Sequence, residues 1–193
     1  MTGRCSLRLF TATIASLLGS VTVAQAQDAV AFHPGQWGAE FQIGNGFVGT
    51  GALHFSSPTR ALLINVGTNY THASASGAGQ GSGNATDVTL DLGTRRYHSF
   101  GPHLYRLITF GLSANYQRQS SDLNNATVEA IGGGPFVDLG ASWMVTAHLA
   151  LGARWRAALA YDHVKQDLAG TVTRINRVSV SLGGLSLAGQ LYF

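Results

Sequence analysis

Residues 148–162 read His-Leu-Ala-Leu-Gly-Ala-Arg-Trp-Arg-Ala-Ala-Leu-Ala-Tyr-Asp. Successive side chains of an extended chain point to opposite sides. Leu149, Leu151, Ala153, Trp155, Ala157, Leu159 and Tyr161 therefore share one face, and Ala150, Gly152, Arg154, Arg156, Ala158, Ala160 and Asp162 share the other. The first face suits an apolar medium and the second does not. Alternation kept up over fifteen positions predicts a long β-strand rather than a helix.

The same period of two recurs on either side. Residues 103–117 set Ile108, Phe110, Leu112, Ala114 and Tyr116 against Thr109, Gly111, Ser113, Asn115 and Gln117. Residues 60–71 set Leu62, Ile64, Val66 and Tyr70 against Asn65, Gly67 and Asn69, and residues 85–97 set Val88, Leu90 and Leu92 against Asp87, Thr89, Asp91, Gly93 and Arg95. Residues 36–44 set Trp37, Ala39, Phe41 and Ile43 against Gly38, Glu40 and Gln42. In residues 47–55 the apolar set is Phe47, Leu53 and Phe55, against Val48, Thr50 and His54. Residues 128–143 end with Val137, Leu139, Ala141 and Trp143 against Phe136, Asp138 and Ser142. Residues 177–193 change phase at Gly183-Gly184, where an extra residue in a β-bulge is expected. Gly132-Gly133-Gly134-Pro135 predicts another bulge, or in its sharper form a lateral opening in the sheet, because proline removes a ladder hydrogen bond.

The face that is not apolar consists mostly of Gly, Ala, Ser, Thr, Asn and Gln with a few Arg and Asp, and Lys165 is the only lysine in the chain. A soluble sandwich would carry abundant charge there. A polar interior under an apolar exterior is the inverted pattern of a transmembrane barrel. The connectors agree. Those at 56–60, 99–103 and 145–147 are short, those at 71–84, 118–127 and 164–175 are longer and polar, and Gly44-Asn45-Gly46 is a tight turn. Short turns at one end and longer loops at the other are how bacterial barrels are built. The predicted fold class is all-β, an eight-stranded antiparallel up-and-down transmembrane β-barrel over residues 36–193; a secreted β-sandwich binding module is the soluble alternative.

The N-terminus reads as a targeting segment. Arg4 and Arg8 precede an apolar stretch over residues 9–23, and Ala24-Gln25-Ala26 is an A-x-A cleavage site. Residues 1–26 are therefore expected to be removed as a signal peptide, leaving 27–35 as a periplasmic lead-in. Cys5, the single cysteine, would leave with the leader, so neither a disulfide framework nor a cysteine metal site is expected. Losing Arg4 and Arg8 brings the charge close to balance, which removes the basic surplus that a nucleic-acid partner would need. Charged residues are 11% of the chain, well below the roughly 25% of an ordinary soluble domain.

At the C-terminus Leu185, Leu187, Gly189, Leu191 and Phe193 alternate with Ser186, Ala188, Gln190 and Tyr192. The ending resembles the C-terminal assembly signal of outer-membrane barrels, carried here by Leu187, Leu191 and Phe193, and implies the outer-membrane assembly machinery as a partner. Together with the leader and eight segments, the chain looks like the small barrel family that includes the OmpA transmembrane domain and OmpX. That resemblance implies a fold and a location, the outer membrane of a Gram-negative cell, and no particular activity.

An eight-stranded interior is just wide enough for side chains to fill, which argues against porin-type conduction. Glu40, Asp87, Asp91, Arg95, Asp138, Arg154, Arg156 and Asp162 face this interior by phase and are expected to pair with one another, because unpaired charge is costly where water is scarce. A narrow ion path is the functional alternative. Outer-membrane lipid A deacylases are barrels of the same size that carry a His-x-Ser arrangement, which His54-Phe55-Ser56 and His72-Ala73-Ser74 resemble, with Asp87 as the best supporting carboxylate. A lipid A-modifying enzyme of deacylase or acyltransferase type is therefore the alternative function. The match is short, so no catalytic residue is assigned, nor any cofactor-binding or metal-binding one. Arg118, Lys165 and Arg174 lie in or beside the outer connectors and are candidates for contact with lipopolysaccharide phosphates. Trp37, Trp143, Tyr70, Tyr105, Tyr116, Tyr161 and Tyr192 fall near segment ends, as girdles do. The reading is a monomeric, non-enzymatic barrel in contact with outer-membrane lipid, with a structural or surface-contact role.

Overall fold

A computed structural model describes residues 32–44, 47–74, 82–121 and 126–193. The predicted leader lies outside the described residues. Eight strands follow in chain order: β1 Trp37–Gly44, β2 Phe47–Ser57, β3 Arg60–Ser74, β4 Ser82–Ser99, β5 Leu104–Ser121, β6 Ala126–Met144, β7 Leu149–Leu168 and β8 Thr171–Tyr192. Each pairs antiparallel with the next, and β8 returns to β1, closing the barrel. Closure overturns the sandwich alternative, since no sheet edge runs the whole length of the molecule. The described lead-in from Phe32, the C-terminal Phe193 and the short turns at Pro58-Thr59, 100–103 and 145–148 lie at one end, called proximal here; the opposite end is distal.

The outer wall is apolar all the way round. Phe41 on β1, Val48 on β2, Ile64 on β3, Leu92 on β4, Leu112 on β5, Leu139 on β6, Leu151 on β7 and Leu182 on β8 are all exposed. The phase change on β8 sits where expected. Trp155 pairs with Leu185 and Ala157 with Leu182, so Gly183 and Gly184 together oppose Arg156, and Val178, Val180 and Leu182 before the bulge face outward like Leu185 and Leu187 after it.

Five sequence expectations need correction. On β2 the apolar set faces inward: Leu53 and Phe55 are buried, while Val48 and Thr50 are on the outside. The β1–β2 register decides this, because Gly38 opposes Leu53 and Ile43 opposes Val48, and directly opposed residues of an antiparallel pair share a face. Secondly, the polar connectors are largely strand. Residues 164–175 form a hairpin whose only loop residues are Ala169 and Gly170, both with positive φ (49° and 89°), as a two-residue hairpin turn requires. β3 runs on to Ser74 and β4 begins at Ser82, while β5 ends at Ser121 and β6 begins at Ala126.

Thirdly, Pro135 makes no bulge. The β6–β7 ladder omits Gly134 and Pro135 but resumes in the same register, from Gly133–Tyr161 to Phe136–Ala158. No lateral opening exists there either, because a Cβ placed on Gly134 would lie 2.0 Å from the Leu159 carbonyl oxygen. Fourthly, Tyr105 and Tyr192 are buried in the lumen rather than in a girdle, unlike Trp37, Trp143, Tyr70, Tyr116 and Tyr161, which are exposed. Finally, the lead-in does not stay outside: Phe32 enters the proximal mouth and is 2% exposed.

The walls differ in height. β1 meets β8 only between Trp37–Phe193 and Ile43–Leu187, and β2 meets β3 no further up than Val48–Thr68. Above these points the distal part of β8 is paired on its β7 side alone.

Candidate functional site

The lumen has two layers with different chemistry. In the proximal layer Phe32 stacks on Phe55 with ring centroids 4.4 Å apart and tilts against Tyr97, Tyr105 and Tyr192 at 4.8, 5.4 and 5.0 Å. Leu53, Ala61, Leu63, Leu107, Met144 and Ala150 complete an apolar core. Offset and tilted rings at these spacings are the favoured aromatic geometries. The turn of residues 32–36 is held by backbone bonds from the Gly35 amide to the Phe55 carbonyl (2.7 Å) and from the Phe55 amide to the Gln36 carbonyl (2.9 Å). Phe32 is thus clamped to β2 rather than merely inserted.

The central layer is ionic, and Glu40 is its hub. Its carboxylate accepts both terminal nitrogens of Arg95, one of them at 3.2 Å, together with Arg154 at 2.8 Å and the Gln190 amide at 2.6 Å. Arg95 Nε donates to Thr109 at 3.0 Å, and Arg154 also donates to Gln42 at 2.8 Å. Arg156 sits beside this group. It bonds Asp138 at 2.7 and 3.1 Å and Asp91 at 2.8 Å, with its guanidinium 4.2 Å from the Phe136 ring centre. Arg154 reaches Asp138 at 3.9 Å, joining the two groups, and Asn65 donates to Asp91 at 3.3 Å. Glu40, Asp91 and Asp138 balance Arg95, Arg154 and Arg156, so the cluster is neutral as a whole. Glu40, Asp91 and Arg95 are fully buried.

Small residues make the room. The Phe47 ring lies where a Cβ of Gly67 would sit, at 1.6 Å, and the Phe136 ring is 2.7 Å from the corresponding point on Gly111. Glycines on the inward face therefore leave space for large side chains from neighbouring strands.

Of the charged residues predicted to face the interior, Glu40, Asp91, Arg95, Asp138, Arg154 and Arg156 are brought together, and two are not. Asp162 belongs to a separate distal group with Arg177 at 3.2 Å, Ser179 at 3.4 Å and Asn115 at 3.4 Å. Asp87 lies further along the same face of β4 with its Oδ1 unbonded. Sequence reasoning missed Gln42, Asn65, Thr109, Gln190 and Arg177. Parity already sets all but Arg177 on the polar face of their strands, but as uncharged side chains they were not counted in the network; Arg177 required the β7–β8 register, in which it opposes Asp162.

His54 and Ser56 do not assemble into a nucleophile and base, and the Ser74 side chain lies outside the described residues. His54 packs against Trp37 at 4.7 Å, and the Ser56 hydroxyl donates to the Arg60 carbonyl. His72 Nδ1 meets Asn84 Oδ1 at 2.6 Å on the outer wall, whereas Asp87 faces the lumen. Among the described residues no group of His, Cys, Asp and Glu has the geometry of a metal site.

Arg118, Lys165 and Arg174 stand on strands, not in loops. They form one distal row on the outer wall with Glu129, since Arg118 opposes Glu129, Glu129 opposes Lys165, and Lys165 opposes Arg174. Glu129 lies 3.9 Å from Arg118 and 4.0 Å from Lys165.

No family model matches the chain, and no curated protein matches it. Among solved structures it is similar to a major outer membrane protein from Thermus thermophilus, with 14% identity, covering 82% of this chain and 98% of that one at a TM-score of 0.56. It is also similar to the N-terminal β-barrel domain of Pseudomonas aeruginosa OprF, with 10% identity, covering 82% and 96% at a TM-score of 0.44. The Thermus likeness extends over nearly the whole of that barrel, and at this identity it speaks to architecture. The chain has the fold of an outer-membrane β-barrel, closed by eight antiparallel strands.

Proposed function

We propose that the chain is an integral outer-membrane protein with a structural or surface-contact role and no catalytic one, its lumen filled by its own side chains. The observation that carries this reading is the inversion of polarity: an apolar wall on every strand encloses a charge-balanced ionic cluster. In water such a wall would drive aggregation, whereas in a bilayer it is the surface that the solvent demands. On this reading the proximal end with its short turns faces the periplasm and the hairpins of the distal end face outward. The paired ions and the aromatic layer beneath them fill the lumen at two levels, which supports a stabilising role for the cluster over conduction.

Leu187, Leu191 and Phe193 then present the strand-end pattern that the outer-membrane assembly machinery reads, and residues 1–26 act as the cleaved export signal. The distal row of Arg118, Lys165 and Arg174 around Glu129 stands on the outer wall, where lipopolysaccharide phosphates would lie. The barrel acts as a monomer. Fractionation of intact cells, with boiled and unboiled samples run on one denaturing gel, tests the proposal. Recovery with the outer membrane and a band that migrates differently without boiling is expected; a soluble band indifferent to boiling would overturn it.

A further inference from the structure

The proximal end carries a second cationic surface, unlike the distal one. Arg60 on β3 opposes Arg96 on β4, Arg96 opposes Ile108 on β5, and His98 opposes Arg106. Arg60, Arg96, His98 and Arg106 are all exposed. By strand parity they share the outer face with Leu62, Leu92 and Phe110, so the arginines form the lower margin of the apolar wall. A shallow hollow of ≈ 360 Å³ lies among them, floored in part by Thr59 and Ile108.

None of these four side chains has an ion-pair partner among the described residues. The described Asp and Glu side chains are elsewhere: Glu40, Asp87, Asp91, Asp138 and Asp162 face the lumen, and Glu129 and Asp167 are distal. Directly opposed like charges on neighbouring strands destabilise a sheet, so Arg60 against Arg96 is unfavourable unless an anion stands between them. Guanidinium forks match a phosphate group in shape and charge.

We propose that this surface binds the phosphodiester headgroup of an anionic phospholipid in the periplasmic leaflet, with its acyl chains lying along Leu62 and Ile108. The inference rests on the membrane reading given above. Arg60, Arg96 and Arg106 hold the phosphate, and the apolar wall directly above them holds the tails. Inorganic phosphate could use the same guanidinium groups, but would gain nothing from the wall.

The test uses the full-length barrel purified in detergent and titrated with dioleoylphosphatidylglycerol, with dioleoylphosphatidylcholine as the reference lipid and native mass spectrometry counting bound lipid. Preferential retention of phosphatidylglycerol is expected, weakened about fivefold for each arginine removed in R60Q, R96Q and R106Q. R177Q, which changes a distal arginine paired with Asp162, should retain it unchanged. Equal retention by the wild type and R60Q/R96Q/R106Q would overturn the proposal, as would displacement of the lipid by millimolar inorganic phosphate, which would indicate a free-anion site instead. Unboiled gel mobility establishes that each variant is folded, and if the triple variant does not fold, R96Q alone carries the test. Failure of the membrane reading shows itself separately, as a chain that stays soluble without detergent before any lipid is added.

Discussion

The two layers of the lumen answer the same packing problem differently. Around Phe32, Phe55, Tyr97, Tyr105 and Tyr192 the space is filled by rings, as in the core of a soluble protein. Around Glu40 it is filled by guanidinium and carboxylate groups with almost no exposed surface. The ring layer can tolerate a modest change of shape, because dispersion contacts are many and individually weak. The ionic layer cannot: removing one partner strands another charge where no water replaces it. A narrow barrel can thus have an oil-like core at one end and a salt-like core in the middle, and the two should fail differently.

The largest effect should come from E40A, which leaves Arg95 and Arg154 without their carboxylate. Urea unfolding in phospholipid vesicles should show a loss of ~3–5 kcal/mol. Replacing Glu40 and Arg95 together by Leu and Met should recover most of it, and a double variant as unstable as E40A would break the comparison. F32A should cost less, about 3 kcal/mol, because its neighbours can partly close over the space. F32L should recover more than half in the same assay, and a loss from F32L equal to that from F32A would mean that the ring layer is as intolerant as the ions. R177A should be smallest, below about 1 kcal/mol, since Arg177 is largely exposed where it pairs with Asp162. A larger loss would extend the ionic layer to the distal end.

Much of this was legible in the sequence. The period of two exposed the outward faces of β1, β3, β4, β5, β6 and β7, and the phase slip on β8 was readable because Leu182 and Leu185 are both large and apolar yet three positions apart. The charged residues that converge on Glu40 followed from parity alone. What was not legible has identifiable causes. On β2 both phases carry apolar residues, so composition could not choose between them; the β1–β2 register, in which Ile43 opposes Val48, does. The distal hairpins are polar because they rise beyond the apolar wall, and polarity there imitates loops. Phe32 left no periodic signal, since it is a single ring on an irregular lead-in whose partners come from β2, β4, β5 and β8.

The unequal wall has a mechanical consequence. β8 is held by β7 along almost its entire length, but β1 holds the chain's end only from Leu187 to Phe193. The barrel is thus a cylinder with one short weld, and chain entry and chain exit are joined at that weld. Stress applied to the wall concentrates at its distal lip, where Ile43 meets Leu187, and a tear begun there would run toward the aromatic layer. Phe32 is clamped to β2 just beyond β1, and its ring meets Tyr192 of β8. It is therefore the rivet at the foot of that weld, holding first and last strands together where the hydrogen-bonded seam is shortest.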